Sequence, residues 1–188
     1  MSLKNALLGI LTYGPMSGYD LKAIFDKSIN QFWNAGVSQI YRDLGNLESE
    51  GCVSSQIVPQ KGRPDRKVYT ITETGKEVFA NWLNQFPSDL NMPVRYDFLL
   101  RIFFGARIPP EDLKFQLQKY IKGKQEIVSN LLKARDNIEK LPVDCSDVDK
   151  FYWGLTGKMG YLLSEASIKW AEECITEIDE FIKVKNNK

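Results

Sequence analysis

The sequence predicts a mainly α protein in two parts. An amino-terminal winged helix-turn-helix of order α-α-α-β-β-α is followed by a helical dimerisation domain with long coiled-coil-like helices. Three observations carry that prediction. Residues 53–58 and 67–72 are short β-branched runs flanking the tip Pro59 to Arg66, whose prolines and glycine suit a loop, so together they read as a two-stranded wing. The segment before the wing puts Val37, Ile40, Tyr41, Leu44 and Leu47 on or beside one helical face, with Ser38, Arg42, Gly45, Asn46 and Ser49 on the other. From Leu113 onward, apolar residues recur in alternating steps of four and three, the spacing of a heptad seam.

Each element follows in chain order. Leu3 to Tyr13 is a helix-length run in which Leu7, Leu8 and Leu11 share a face, and Gly14-Pro15 stops it. Ser17 then offers an N-cap oxygen with Asp20 three residues later, opening a second helix with Leu21, Ile24 and Phe25 apolar. The third helix, the recognition helix, closes on Glu50-Gly51. After the wing, residues 73–83 read as a fourth helix with Val78, Phe79, Trp82 and Leu83 inward, ending near Phe86-Pro87. Residues 87–93 interrupt helical patterning and form a hinge. Tyr96 to Phe104 is a compact apolar helix stopped by Pro109-Pro110.

The seam then runs through Leu113, Leu117, Tyr120, Lys124, Ile127, Leu131, Ala134, Ile138 and Leu141, breaks at residues 144–149, and resumes at Tyr152, Leu155, Met159, Leu162 and Ala166. Two long helices thus share a seam, and Phe151, Leu163, Ile168 and Ile175 lie off it. That is more apolar surface than one hairpin buries, and a two-fold dimer is the simplest closure. A single-chain bundle with the extra aromatics in its core is the alternative. The predicted domains are 1–86 for DNA binding, 87–93 for the hinge, and 94–188 for dimerisation and an effector. Leu113, Leu117, Tyr120, Ile127, Leu131, Tyr152, Leu155, Met159 and Leu162 are the candidate dimerisation residues.

A polar, sparsely charged helical face beside a basic wing suits a reader of the major groove. The formal net charge is only +1, so its distribution decides. Residues 1–86 hold nine Lys or Arg against eight Asp or Glu, and residues 87–188 hold sixteen of each. Within the first part, Lys61, Arg63, Arg66 and Lys67 against Asp65 give the wing +3. Local phosphate neutralisation, rather than net charge, releases counterions. Taken alone, four cations on a turn are a solvated loop; beside a helix-turn-helix they are an electrostatic footprint for double-stranded DNA. The candidate DNA-binding residues are Ser17, Tyr19, Ser38, Gln39, Tyr41, Arg42, Lys61, Arg63, Arg66 and Lys67. Gln39 and Arg42 carry donors suited to adenine and guanine edges.

Other chemistry is poorly supplied. The chain has no histidine, which removes the commonest general base, the commonest zinc ligand and every Ser-His or Cys-His pair. It has neither a phosphate-binding Gly-x-x-x-x-Gly-Lys loop nor a Gly-x-Gly-x-x-Gly turn. The expectation is a protein that is not an enzyme and that holds no cofactor and no metal. Cys52, Cys145 and Cys174 are odd in number and widely spaced, reading as buried or incidental thiols, with a redox role for Cys52 as the alternative. No leader pattern and no apolar run of about 18 residues is present, so a cytoplasmic address without membrane contact is expected. Phe103, Trp153, Tyr161 and Trp170 are candidates to line a pocket for a small aromatic or lipophilic effector, although aromatics at helical spacing are more often core.

Four stretches in order carry a family likeness: Gly18 to Leu21, Val37 to Gly51, Gly62-Arg63-Pro64, and Val68 to Gly75. Together they resemble the PadR-type transcriptional regulators over residues 1 to about 86. The longer second half looks like the larger helical dimerisation domain of the branch related to virulence gene activators. After Tyr41 the chain departs from the family pattern, with Arg42-Asp43-Leu44 where proline, a small residue and leucine are usual. The resemblance implies a homodimeric, sequence-specific DNA-binding regulator, a repressor on inverted-repeat operators that a small ligand relieves. A winged-helix protein-interaction module without DNA binding is the alternative.

Overall fold

The computed structural model describes residues 2–60, 62, 65–88, 95–136 and 143–186. These divide into two compact units: Met1–Leu90 with Asn137–Trp153, and Asn91–Asp136 with Gly154–Lys188.

The first unit is the winged helix. Helix α1 (Ser2–Leu11) leads to a two-residue strand β1 (Met16–Ser17), helix α2 (Gly18–Lys27), a 3-10 turn (Ile29–Gln31) and helix α3 (Val37–Ser49). Strands β2 (Val53–Val58) and β3 (Arg66–Ile71) follow, then helix α4 (Glu73–Asn84). The strands form an antiparallel sheet of order β1-β3-β2, with Val53 opposite Ile71, Val58 opposite Arg66, and Ser17 opposite Val68. The expected order is present with β1 added. A two-residue strand has no pattern of its own and exists only because β3 offers it an edge.

Leu7, Leu8, Leu11, Leu21, Phe25, Ile40, Leu44 and Leu47 are fully buried and form the core, with Val53 and Tyr69 of the sheet against them. Gly51, in the left-handed region at φ 71°, ends α3 and turns the chain into β2. Thr72 then starts α4: its hydroxyl accepts from the Gly75 amide at 3.1 Å and donates to the Gly51 carbonyl at 2.7 Å.

The inward face predicted for α4 is corrected. Only Phe79 packs against the core, its ring close enough that a Cβ on Gly9 would stand 3.0 Å away, while Val78, Trp82 and Leu83 are exposed. Helix α4 lies against α1 along one narrow stripe. Its second apolar row stays more than two-fifths exposed, with the Trp82 ring stacked on Phe79 at 5.9 Å. Val37 and Tyr41 of α3 are likewise exposed, beside rather than inside the core.

Residues 143–153 close the first unit. Val143 packs on the core, and the Tyr13 hydroxyl donates to Asp149 Oδ1 at 3.0 Å while Trp153 meets the Tyr13 ring edge-on at 5.6 Å. Burial first, then the Asp149 carboxylate, pushes the Tyr13 phenol up to about 12. Asp149 also takes the Ser146 amide at 2.9 Å, capping the start of the last helix.

The second unit holds helix α5 (Asp97–Phe103), a 3-10 turn (Gly105–Arg107), helix α6 (Pro110–Asp136) and helix α7 (Asp147–Asn186) from Gly154 on. Pro110 opens α6 as first-turn residue, where its missing N–H costs nothing. Leu117 and Leu131 are buried, Leu113 and Tyr120 half-buried, and Ile127 exposed; Ile138 and Leu141 lie outside the described residues. Phe98 stacks on Tyr120 at 5.0 Å, and Trp170 meets both rings edge-on.

The shared seam is corrected. Tyr152, Leu155, Met159 and Leu162 are 61, 48, 59 and 52 % exposed. Instead α7 meets α6 through other residues: Gly160 beside Leu131, Trp170 beside Tyr120, and Asp179 paired with Lys114 at 2.6 Å, with Ser164 and Ala171 buried. Leucines projecting from one helix need small residues opposite to reach close packing. Gly160 supplies that space opposite Leu131. Among the described residues, no helix is long and apolar enough to cross a membrane.

Candidate nucleic-acid interface

Ser17 caps α2 reciprocally with Asp20. The Ser17 oxygen accepts from the Asp20 amide at 3.2 Å, and Asp20 Oδ2 accepts from the Ser17 amide at 3.1 Å. The cap is buried at Ser17, but Tyr19, two residues on, is 77 % exposed. Gly18 lies beneath the Tyr41 ring, so close that a Cβ would stand 2.5 Å from Tyr41 Cε1. The glycine thereby lets the side chain of α3 lie flat across the start of α2.

On α3, Ile40, Leu44 and Leu47 face the core, so Ser38, Gln39, Tyr41, Arg42, Gly45, Asn46 and Ser49 face solvent. Gln39 Oε1 accepts from the Gly36 amide at 3.0 Å and caps the helix, leaving its amide nitrogen outward. Arg42 is two-thirds exposed, with Asp43 3.8 Å away. A Cβ on Gly45 would meet nothing within 4 Å, so the middle of this face is flat.

The wing stands beside that face. Gly62 at φ 75° makes the tip turn, and Lys61 and Arg63 lie outside the described residues. At the root of β3, the Arg66 guanidinium pairs with the Asp20 carboxylate and donates to Ser17 Oγ at 3.2 Å. Lys67 Nζ lies 2.7 Å from Glu48 Oε2 of α3 and over the Tyr69 ring at 5.1 Å. Hydrogen bonds from Lys67, then from the Ser55 hydroxyl, hold the Glu48 carboxyl below its ordinary range, and Glu48 raises the Lys67 ammonium in turn.

Ser17, Tyr19, Tyr41, Gln60, Arg66 and Lys67 line one groove between α2, α3 and the wing. Gly18, Asp20 and Asp65 line it too, so five of its nine residues are among the ten singled out from the sequence. Sequence reasoning missed Asp20 and Glu48 as partners of the wing cations, Gly18 as the seat of Tyr41, and Gln60. The pairings span 46 and 19 residues, a separation at which no local pattern links the two side chains. The effector candidates do not gather in one unit: Trp153 belongs to the first, beside Tyr13, whereas Phe103, Tyr161 and Trp170 belong to the second. Phe103 is exposed, and Trp170 is occupied by Phe98 and Tyr120.

Comparison with known proteins bears on this geometry. Residues 7–81 match the transcriptional regulator PadR-like family, and residues 94–179 match the virulence activator alpha carboxyl-terminal family. The chain is similar to the negative transcriptional regulator PadR of Bacillus subtilis, at 29 % identity over 184 residues, covering 95 % of this chain and 98 % of that protein. The crystal structure of Bacillus subtilis PadR in complex with operator DNA superposes with a TM-score of 0.81 at 26 % identity, covering 95 % of this chain and 99 % of that one. The structure of the same protein with p-coumaric acid gives a TM-score of 0.74 at 26 % identity, covering 94 % of this chain and 95 % of that one. Residues 7–81 therefore form a domain of the transcriptional regulator PadR-like family, and residues 94–179 a carboxyl-terminal domain of the virulence-activator type.

Proposed function

We propose that this protein is a sequence-specific double-stranded-DNA-binding repressor, acting as a homodimer on inverted-repeat operators and relieved by a small aromatic or lipophilic ligand. The observation that carries the reading is the solvent-facing row Ser38, Gln39, Tyr41 and Arg42 on α3, set beside a wing on a chain similar throughout to a protein crystallised on operator DNA. Residues 1–86 read the DNA, 94–188 pair the subunits, and 87–93 join them. Arg42 and Gln39 address base edges in the major groove; Ser17, Tyr19 and the basic wing loop address the backbone.

Tyr152, Leu155, Met159 and Leu162 form an apolar row that is about half exposed or more among the described residues, which suits a second copy better than water. Two copies related by a two-fold axis would present two recognition helices to half-sites one helical turn, roughly 34–36 Å, apart. Relief by ligand rests on the similarity to a relative solved with p-coumaric acid. No catalytic role is assigned, and the place of action is the cytoplasm. Ser38, Gln39 and Arg42 beside a basic wing, on a chain similar to a protein solved on operator DNA, favour DNA over a protein partner.

Selection from random duplexes, followed by light scattering, tests the proposal. An enriched palindrome bound by a dimer is expected; no enriched sequence, or a monodisperse monomer of 21.6 kDa that binds one palindrome tightly, refutes it.

A further inference from the structure

Among the acidic residues on the face that, in the reading above, meets a polyanion, Asp20 and Glu48 hold wing cations. Asp20 sits in the first turn of α2 and Glu48 near the end of α3, each within ion-pair distance of a wing cation. A carboxylate there repels phosphate, so electrostatics alone gives both residues an unfavourable effect on binding. Their contacts explain their presence.

Arg66 and Lys67 are the first residues of β3, and neighbouring side chains of a strand point to opposite faces. Arg66 reaches Asp20 and Ser17 of the α2 cap, and Lys67 reaches Glu48 of α3. Glu48 also takes the hydroxyl of Ser55 on β2, so both strands of the hairpin are tied to the recognition helix. The hairpin is thereby pinned on both sides at the end of its strands nearest the tip. Exposed ion pairs of this kind contribute little to overall stability. Their consequence is angular: they fix how β2 and β3 stand relative to α3.

We propose that Asp20 and Glu48 are wing-positioning residues, which hold Arg66 and Lys67 as struts and preset the hairpin so that wing and recognition helix engage the duplex together. Arg66 and Lys67 then act chiefly through their acidic partners, and phosphate contact falls to the tip. This inference rests on the DNA-binding reading.

The test uses the full chain and the duplex enriched from a random pool, with affinity measured as a function of salt. Glu48→Gln removes a negative charge from the binding face; binding about threefold weaker or more is expected for a lost strut, and tighter binding overturns the proposal. Asp20→Asn keeps an oxygen for the Ser17 cap but not the charge, and the same two outcomes apply. The paired exchange Glu48→Lys with Lys67→Glu retains net charge and ion pair. It is expected to bind within about threefold of the unsubstituted chain, while Lys67→Glu alone loses about tenfold or more. An exchange variant as weak as Lys67→Glu, with the salt slope reduced by about one per half-site, identifies Lys67 as a phosphate contact and overturns the proposal. If the unsubstituted chain enriches no duplex, the DNA-binding reading fails and the strut assignment falls with it; unchanged thermal midpoints separate either result from misfolding.

Discussion

Replacing Gly18 by Ala is expected to weaken DNA binding while leaving the fold nearly untouched. The added Cβ would stand 2.5 Å from Cε1, 2.8 Å from Cζ and 3.0 Å from the hydroxyl oxygen of Tyr41. Carbon atoms in contact prefer about 3.5–4.0 Å, so the ring must retreat by about 1 Å. It can do so, because it is the end of a half-exposed side chain. The rotation costs about 0.5–1.5 kcal/mol. Exchanging glycine for alanine in a helix returns up to about 1 kcal/mol, so the net change in unfolding free energy stays within about 1 kcal/mol.

Binding responds differently. A hydroxyl displaced by that distance leaves hydrogen-bonding range. One lost bond is worth about 0.5–1.5 kcal/mol, doubled over two half-sites, which predicts about a 5- to 150-fold loss of operator affinity. Anisotropy titration of a labelled duplex at fixed salt measures the loss, and thermal unfolding of the same protein measures stability. Full affinity in Gly18→Ala alongside weakened binding in Tyr41→Phe would refute the argument that Gly18 sets the position of the ring. Gly75→Ala provides the contrast. Its Cβ would overlap the Cys52 carbonyl and crowd Ile71 at 2.9 Å, and because backbone cannot swing aside, about 1–3 kcal/mol or more of stability is lost.

Two further outcomes follow from the burial pattern and from Tyr13. A charge at buried Leu131 is expected to unfold the second unit, whereas Leu162→Glu, on the exposed row of α7, should leave helicity intact and shift the chain to monomer; circular dichroism and light scattering separate the two, and a dimeric Leu162→Glu protein would remove that row from the interface. The Tyr13 phenol is raised from 10.0 to about 12 in the folded chain, so its contribution is fully present below pH 10 and lost as pH rises through about 12. Tyr13→Phe should cost about 1 kcal/mol at neutral pH and flatten the alkaline loss of stability; urea midpoints that decline equally in both proteins between about pH 10 and 12 would show that Tyr13 is not responsible.

The sequence by itself determined the elements and their order. Helix α3, strands β2 and β3, and the start of α2 were legible because each rests on a local rule: apolar residues at helical spacing, β-branched runs around a Gly-Pro tip, and a serine with an acid three residues later. The solvent face of α3 was legible for the same reason, since burial of Ile40, Leu44 and Leu47 fixes where Ser38 and Arg42 point. Strand β1 was not, because Met16 and Ser17 become a strand only on meeting Tyr69 and Val68. Periodicity named apolar rows on α4 and α7 but could not say which row a neighbour covers. Only the tertiary structure decided that α7 turns Gly160 and Ala171 toward α6's side of the unit and leaves Leu155 and Met159 outside. The wing cations followed the same logic: their charge was visible in the chain, but a carboxylate 46 or 19 residues away becomes a partner only when the fold brings it there.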